Sequence, residues 1–167
     1  MNNIAQNTIW FVLLVLLQVL IFNNINLLGH TNPYIYIAYI FYYPIKRERG
    51  RFLFLSFLLG LSIDFFSNTG GINAASTLFI AFIRLSVLSS ILKKTDFDFH
   101  QFNIRSISFG RACTFITILT FTHHFILFSL DYFSLKDMGS ILSKSITTAL
   151  LSISLILIGI ISFTKKK

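Results

Sequence analysis

Residues 52–92 read FLFLSFLLGLSIDFFSNTGGINAASTLFIAFIRLSVLSSIL. Two apolar runs, Phe52–Ser67 and Ile72–Leu92, flank the breaker Asn68-Thr69-Gly70-Gly71. A helix that crosses the hydrocarbon of a bilayer needs about 20 mostly apolar residues, because each one adds about 1.5 Å. Both runs are near that length, and Asn and Gly supply the backbone freedom of a tight turn. The stretch predicts two antiparallel membrane-spanning helices.

The same pattern recurs on either side. Asn7–Phe22 comes first, with Trp10 towards one interface, and Asn23, Asn24 and Asn26 end it. Asn32-Pro33 opens a shorter run to Ile45, and Ala112–Leu130 and Gly139–Phe163 complete the set. The expectation is an all-α polytopic membrane protein: one transmembrane domain of about six helices over 7–22, 33–45, 52–67, 72–92, 112–130 and 139–163. The run 33–45 is short. A dozen helical residues reach only about 20 Å, so it needs a thinned bilayer or an irregular extension through Asn26–Thr31. Five of the 6 tyrosines (Tyr34, Tyr36, Tyr39, Tyr42 and Tyr43) fall in it, which suits a place near the membrane interface.

Composition points the same way. Apolar residues make up 54% of the chain and charged residues 12%, against about 25% charged in a soluble domain. The single cysteine, Cys113, excludes an intramolecular disulfide. No phosphate-binding loop, CxxC or HExxH pattern occurs. The first 25 residues read as a retained helix rather than a cleaved signal, since no Lys or Arg precedes the apolar run and no A-x-A-like site follows it.

The net charge is +8. Nucleic acid is not the implied partner, because the basic residues sit in short clusters between apolar runs. Lys46, Arg47, Arg49 and Arg51 lie between the second and third runs, Lys93, Lys94, Arg105 and Arg111 between the fourth and fifth, and Lys165, Lys166 and Lys167 after the sixth. Six spans place all eleven on one side, leaving only Lys136 in the opposite loops. Positive loops stay inside, so both termini are expected in the cytoplasm. Arg84 and Lys144 fall within runs.

Lipid gives apolar faces no reason to pair, so membrane helices associate through small and polar residues. At 100° per residue, Ser56, Gly60, Asp64 and Ser67 share one face, as do Asn73, Thr77, Ala81 and Arg84, then Cys113, Thr117, Thr120 and His124, and finally Ser145, Thr148, Ser152 and Gly159. These faces are expected to form a weakly polar interior. Asp64 and Arg84 are the ionisable residues inside spans, histidines aside. A charge at the bilayer centre costs about 2.5–3.5 kcal/mol, so a partner is expected for each. Their depths differ by roughly 12 Å, and the leaning Asp and the long Arg stem could close much of that. The leading expectation is a structural intramembrane polar pair, Asp64 with Arg84. The alternatives are a proton or substrate site and an Arg84 that snorkels to the interface. Adjacent His123 and His124 point about 100° apart and chelate poorly. They are expected to anchor at the interface or to bond between helices, with no metal, cofactor or catalytic set implied. The stretch Lys93–Arg111, with Phe97, Phe99, Phe102 and Phe109 among its charges, reads as a cytoplasmic loop lying on the membrane, or as a docking surface.

Leu59-Gly60-Leu61-Ser62-Ile63-Asp64-Phe65-Phe66-Ser67, followed by Gly70-Gly71-Ile72-Asn73-Ala74-Ala75, resembles the signature region of the rod shape-determining MreD family: a Gly-Leu-x-x-Asp helix end, a Gly-containing turn and an Ala-rich helix start. Gly60, Asp64, Gly71, Ala74 and Ala75 carry that likeness. Phe11–Leu20 and Asn32–Ile37 are similar to the Bacteroidetes-type members. The resemblance implies a non-catalytic scaffold of the rod complex in the bacterial cytoplasmic membrane, acting in cell shape and lateral peptidoglycan synthesis. It also implies partners: an MreC-like single-span protein and, indirectly, MreB, RodA and a class B transpeptidase, within membrane lipid and without nucleic acid. The implied fold is similar to the substrate-binding subunits of energy-coupling-factor transporters, and fold alone does not carry function. The alternative is a membrane-embedded binding component of a small-molecule transporter. Such a component calls for a polar cluster near the outer face, whereas the outer loops are short and almost uncharged.

Overall fold

The computed structural model describes residues 4–25, 31–45, 49–92, 107–133 and 137–163. These form the helices α1 (Ile4–Leu20), α2 (Ala38–Tyr42), α3 (Arg49–Ser67), α4 (Ile72–Ile91), α5 (Phe109–Tyr132) and α6 (Met138–Phe163), with a single 3-10 turn at Phe22–Asn24. Five of the six are long and apolar enough to cross a membrane, α2 being the exception. Their ends fall within three residues of the limits set by the apolar runs. The chain is a multi-pass helical membrane bundle in which α3 packs on α4, α4 on α5, α5 on α6 and α1 on α3. Large apolar side chains such as Phe54, Phe65, Phe82, Leu150 and Ile158 face outward, as they do when lipid is the solvent.

The α3–α4 hairpin is closed by four residues. Asn68, Gly70 and Gly71 all take positive φ, with Gly71 at 97°, a region glycine enters without steric cost. Gly60 decides how closely the two helices approach. A Cβ built on Gly60 would lie 2.5 Å from Ala74 Cα and from the Asn73 carbonyl oxygen, so backbone packs on backbone at this crossing. Gly60→Ala is expected to push the hairpin apart and to cost about 2 kcal/mol, read as a lowered midpoint of denaturant unfolding in detergent micelles.

Residues 33–45, expected as a second spanning helix, fold differently. Only Ala38–Tyr42 is helical. The segment nonetheless runs the length of the bundle. At the end that carries the Asn68–Gly71 turn, the Pro33 carbonyl and the Ile35 amide meet Gln18, near the C-terminus of α1. At the other end, the basic end, the Tyr43 ring lies tilted against Phe52, and Tyr42 stacks on Trp10 in the first half of α1. Extended residues advance up to about 3.3 Å each, so eight of them plus a five-residue helix reach at most about 34 Å, enough for a hydrocarbon layer of about 30 Å. Irregular backbone at membrane depth survives only where protein covers it. Here Tyr36 to Phe41 are all buried, with contacts to α1, α4 and α5. Tyr36 and Tyr39 are therefore core residues rather than interface anchors.

The inward stripes also differ from expectation. On α5, Thr117 and Cys113 are not buried, and the buried face carries Phe115, Ile116, Leu119, Thr120, His123 and His124. The face of α4 (Asn73, Thr77, Ala81 and Arg84) is buried as expected, and so are Ser145, Thr148 and Ser152 on α6, whereas Gly159 is only half-buried.

Candidate functional site: a buried polar network

The amides of a helix's first turn have no intrahelical acceptor. Helix α4 begins after Gly71, which has no side chain to cap it. The cap comes from the preceding helix instead. Asp64 Oδ1 accepts from the Asn73 amide at 3.0 Å, and Asp64 Oδ2 accepts from the Ala74 amide at 2.8 Å. Oδ1 also takes the Thr69 hydroxyl at 2.5 Å and Asn73 Nδ2 at 3.0 Å. A carboxylate accepting helix-start amides gains both the bonds and the positive end of the helix dipole. The close approach at Gly60 is what brings Asp64 within reach.

This arrangement replaces the expected Asp64–Arg84 pair. Gly60 lies against Ala74, so Asp64 sits above the first turn of α4, while Arg84 lies ten residues beyond Ala74. The axial gap is about 20 Å rather than 12 Å, too far for the two side chains. Arg84 instead donates from Nη2 to the Tyr43 carbonyl and lies 4.9 Å over the Phe52 ring.

From Asp64 the network runs inward with a fixed direction. Asn73 Nδ2 donates to Asp64 and to Thr69 Oγ1, so Asn73 Oδ1 must accept, and it takes the Tyr36 hydroxyl proton at 3.0 Å. That proton is then spent. The 2.9 Å contact between the Tyr36 oxygen and His123 Nε2 therefore needs the imidazole hydrogen on Nε2. Thr77 Oγ1 adds a donor to the Tyr36 oxygen at 3.3 Å. Among the described residues His123 Nδ1 is left as a buried acceptor without a partner.

His124 is held the opposite way. Its Nδ1 lies 2.7 Å from the Thr120 carbonyl, which can only accept, so Nδ1 carries the hydrogen. Its Nε2 then accepts from the Ser152 hydroxyl at 3.3 Å. Two neighbouring imidazoles thus hold opposite tautomers. Ser152 and His124 have the spacing of a nucleophile and its base, but Ser152 is fully buried and its oxygen accepts the Tyr34 amide at 2.9 Å. The pair's visible work is to fix the backbone of Tyr34.

Gln18 is the residue that sequence reasoning missed. Its Oε1 accepts from the Ile35 amide at 2.8 Å and from the Tyr36 amide at 3.3 Å. Its Nε2 donates to the Pro33 carbonyl at 3.0 Å and to Asn23 Oδ1 at 2.9 Å. Asn23 passes the chain on to Ser67 on α3. One side-chain amide stands in for the strand or helix that segment 33–37 lacks.

No family model, curated protein or solved structure matches the chain. Function must therefore be read from the residues themselves. Of the five signature-like residues, Gly60, Asp64, Gly71 and Ala74 are parts of one joint: close approach, cap, turn and contact surface. Ala75 is exposed, and nothing in the structure explains it beyond its helix propensity. Among the described residues no three His, Cys, Asp or Glu side chains converge as metal ligands. Most of Lys93–Arg111 lies outside the described residues.

Proposed function

We propose that the chain is an MreD-type scaffold of the bacterial cytoplasmic membrane, non-catalytic, with both termini in the cytoplasm and a fold like that of energy-coupling-factor substrate-binding subunits. It works with an MreC-like single-span protein and, through it, with MreB, RodA and a class B transpeptidase in lateral wall synthesis. The observation that supports this reading is the Gly60–Asp64–Ala74 joint. Four of the five residues that carry the resemblance, Gly60, Asp64, Gly71 and Ala74, belong to one built structural unit. The filling of the turn end favours a scaffold over a binding subunit: the polar side chains there bond one another, and Tyr36–Phe41 occupy the space between the helices.

The test is purification of the tagged protein from its native membrane in mild detergent, followed by mass spectrometry of what accompanies it. Recovery of an MreC-like protein with RodA and a transpeptidase is expected. Recovery of ATP-binding-cassette subunits without any wall-synthesis protein sinks the scaffold reading in favour of transport.

A further inference from the structure

We propose that the basic end of the bundle binds a phosphate group, that of a phospholipid headgroup in the adjoining leaflet, between Arg84 and Arg49. The inference goes beyond the scaffold reading and does not depend on it.

Arg84 is 2% exposed, and among the described residues its Nε has no hydrogen-bond partner. One nitrogen of its fork is held by the Tyr43 carbonyl, and the ring face of Phe52 lies under it. A carbonyl and a ring soften a buried guanidinium but do not neutralise it, and a buried charge without a counter-charge is costly. Arg84 opens onto a cavity of about 20 Å³ between α3, α4 and the end of segment 33–45, lined also by Tyr43, Pro44, Phe52, Leu85 and Arg49. Among the described residues no carboxylate lines it. Two guanidiniums therefore face one small space that no carboxylate of the described residues shares.

Their positions suit a headgroup. Arg49 is the first residue of α3, and it reaches across to the Phe82 carbonyl at 3.4 Å. Arg84, two residues further along α4, is thus level with the start of α3, whose N-terminus adds partial positive charge. The depth is that of the membrane interface, since the apolar run of α3 begins only at Phe52. Arg49 is exposed at the mouth and Arg84 is buried inside. A phosphodiester offers two unesterified oxygens. The cavity, lined by both arginines, places one of them against the buried Arg84 guanidinium while the other stays at the mouth with Arg49, each oxygen taking a charge-assisted hydrogen bond. Pro44 and Leu85 are left to meet the glycerol and upper acyl chain.

The experiment uses the full chain in detergent, stripped of native lipid and titrated with phosphatidylglycerol, with native mass spectrometry counting bound lipid. Inorganic phosphate is added in a parallel thermal-shift series. The expected result is one tightly held phosphatidylglycerol. Its apparent affinity falls about tenfold in Arg84→Gln and about threefold in Arg49→Gln, at unchanged helical circular dichroism. Should Arg84→Gln fail to fold, the exposed Arg49→Gln carries the comparison alone. Unaltered lipid binding in the variants overturns the proposal. Stabilisation by inorganic phosphate with no retained lipid overturns the lipid assignment and gives the site to a soluble phosphate.

Discussion

Gln18→Leu is expected to cost about 4 kcal/mol. Leucine has nearly the volume of glutamine, so packing is roughly kept and the loss is polar. Two amides, Ile35 and Tyr36, lose their acceptor, and the Pro33 carbonyl loses its donor. Each buried group left unmade costs about 1–3 kcal/mol, and no water is at hand in a membrane interior to take its place. In the unfolded state the same backbone can turn helical and satisfy itself, so the penalty falls wholly on the native state. Unfolding by sodium dodecyl sulfate titration, followed by circular dichroism, measures it. Gln18→Glu, held protonated by burial, keeps an acceptor oxygen facing the two amides and gives up one of the two donated bonds, so it is expected to lose less. Equal losses for Leu and Glu would mean that acceptance from the Ile35 and Tyr36 amides is not what makes Gln18 matter.

Asp64→Ala is expected to cost about 3 kcal/mol. The substitution leaves the Asn73 and Ala74 amides of α4 uncapped, removes one of the two acceptors of Asn73 Nδ2 and loosens the orientation that passes through Tyr36 to His123. Removing a helix cap costs about 1–2 kcal/mol, and hydrogen bonds to a charged group are worth about 1.5–3 kcal/mol each. Water entering from the nearby turn offsets part of the sum. Asp64→Asn retains one acceptor oxygen and is expected to show roughly half the loss in the same unfolding titration. Arg84→Gln paired with Asp64→Asn is expected to be additive, because about 20 Å separates the two side chains. A coupling above about 0.5 kcal/mol in that double-mutant cycle would restore the pair.

The long helices were legible because run length and breaker residues report directly on what lipid requires. The hairpin joint was half legible. Gly60 and Asp64 stood out, but the partner of Asp64 did not, because a sequence displays side-chain charges and hides backbone donors. The usable signal was the bare start of α4: two glycines with no capping side chain leave amides in need of an acceptor. The rotated face of α5 was lost for another reason. Hydroxyls on lipid-facing surfaces bond their own helix, as Ser62 does to Leu58, Thr114 to Gly110 and Ser154 to Leu150, so a serine or threonine says little about which way a helix faces. Gln18 left a trace, as the one amide in the run Phe11–Leu20. Reading it correctly required knowing that segment 33–37 is not helical, and its neighbours Pro33 and Pro44 hint at this without showing where the backbone bonds go.

The extended crossing of residues 33–45 has a consequence for biogenesis. A nascent helix can leave the translocon singly, since it already satisfies its own backbone. This segment in its final form cannot, because its amides depend on α1 behind it and on Ser152, which is more than a hundred residues still to come. The crossing must therefore wait at the membrane surface or enter as a provisional helix, and it can take its mature path only after α6 has been synthesised. The second element to emerge from the ribosome is the last to settle, and the assembled bundle is in effect closed around it.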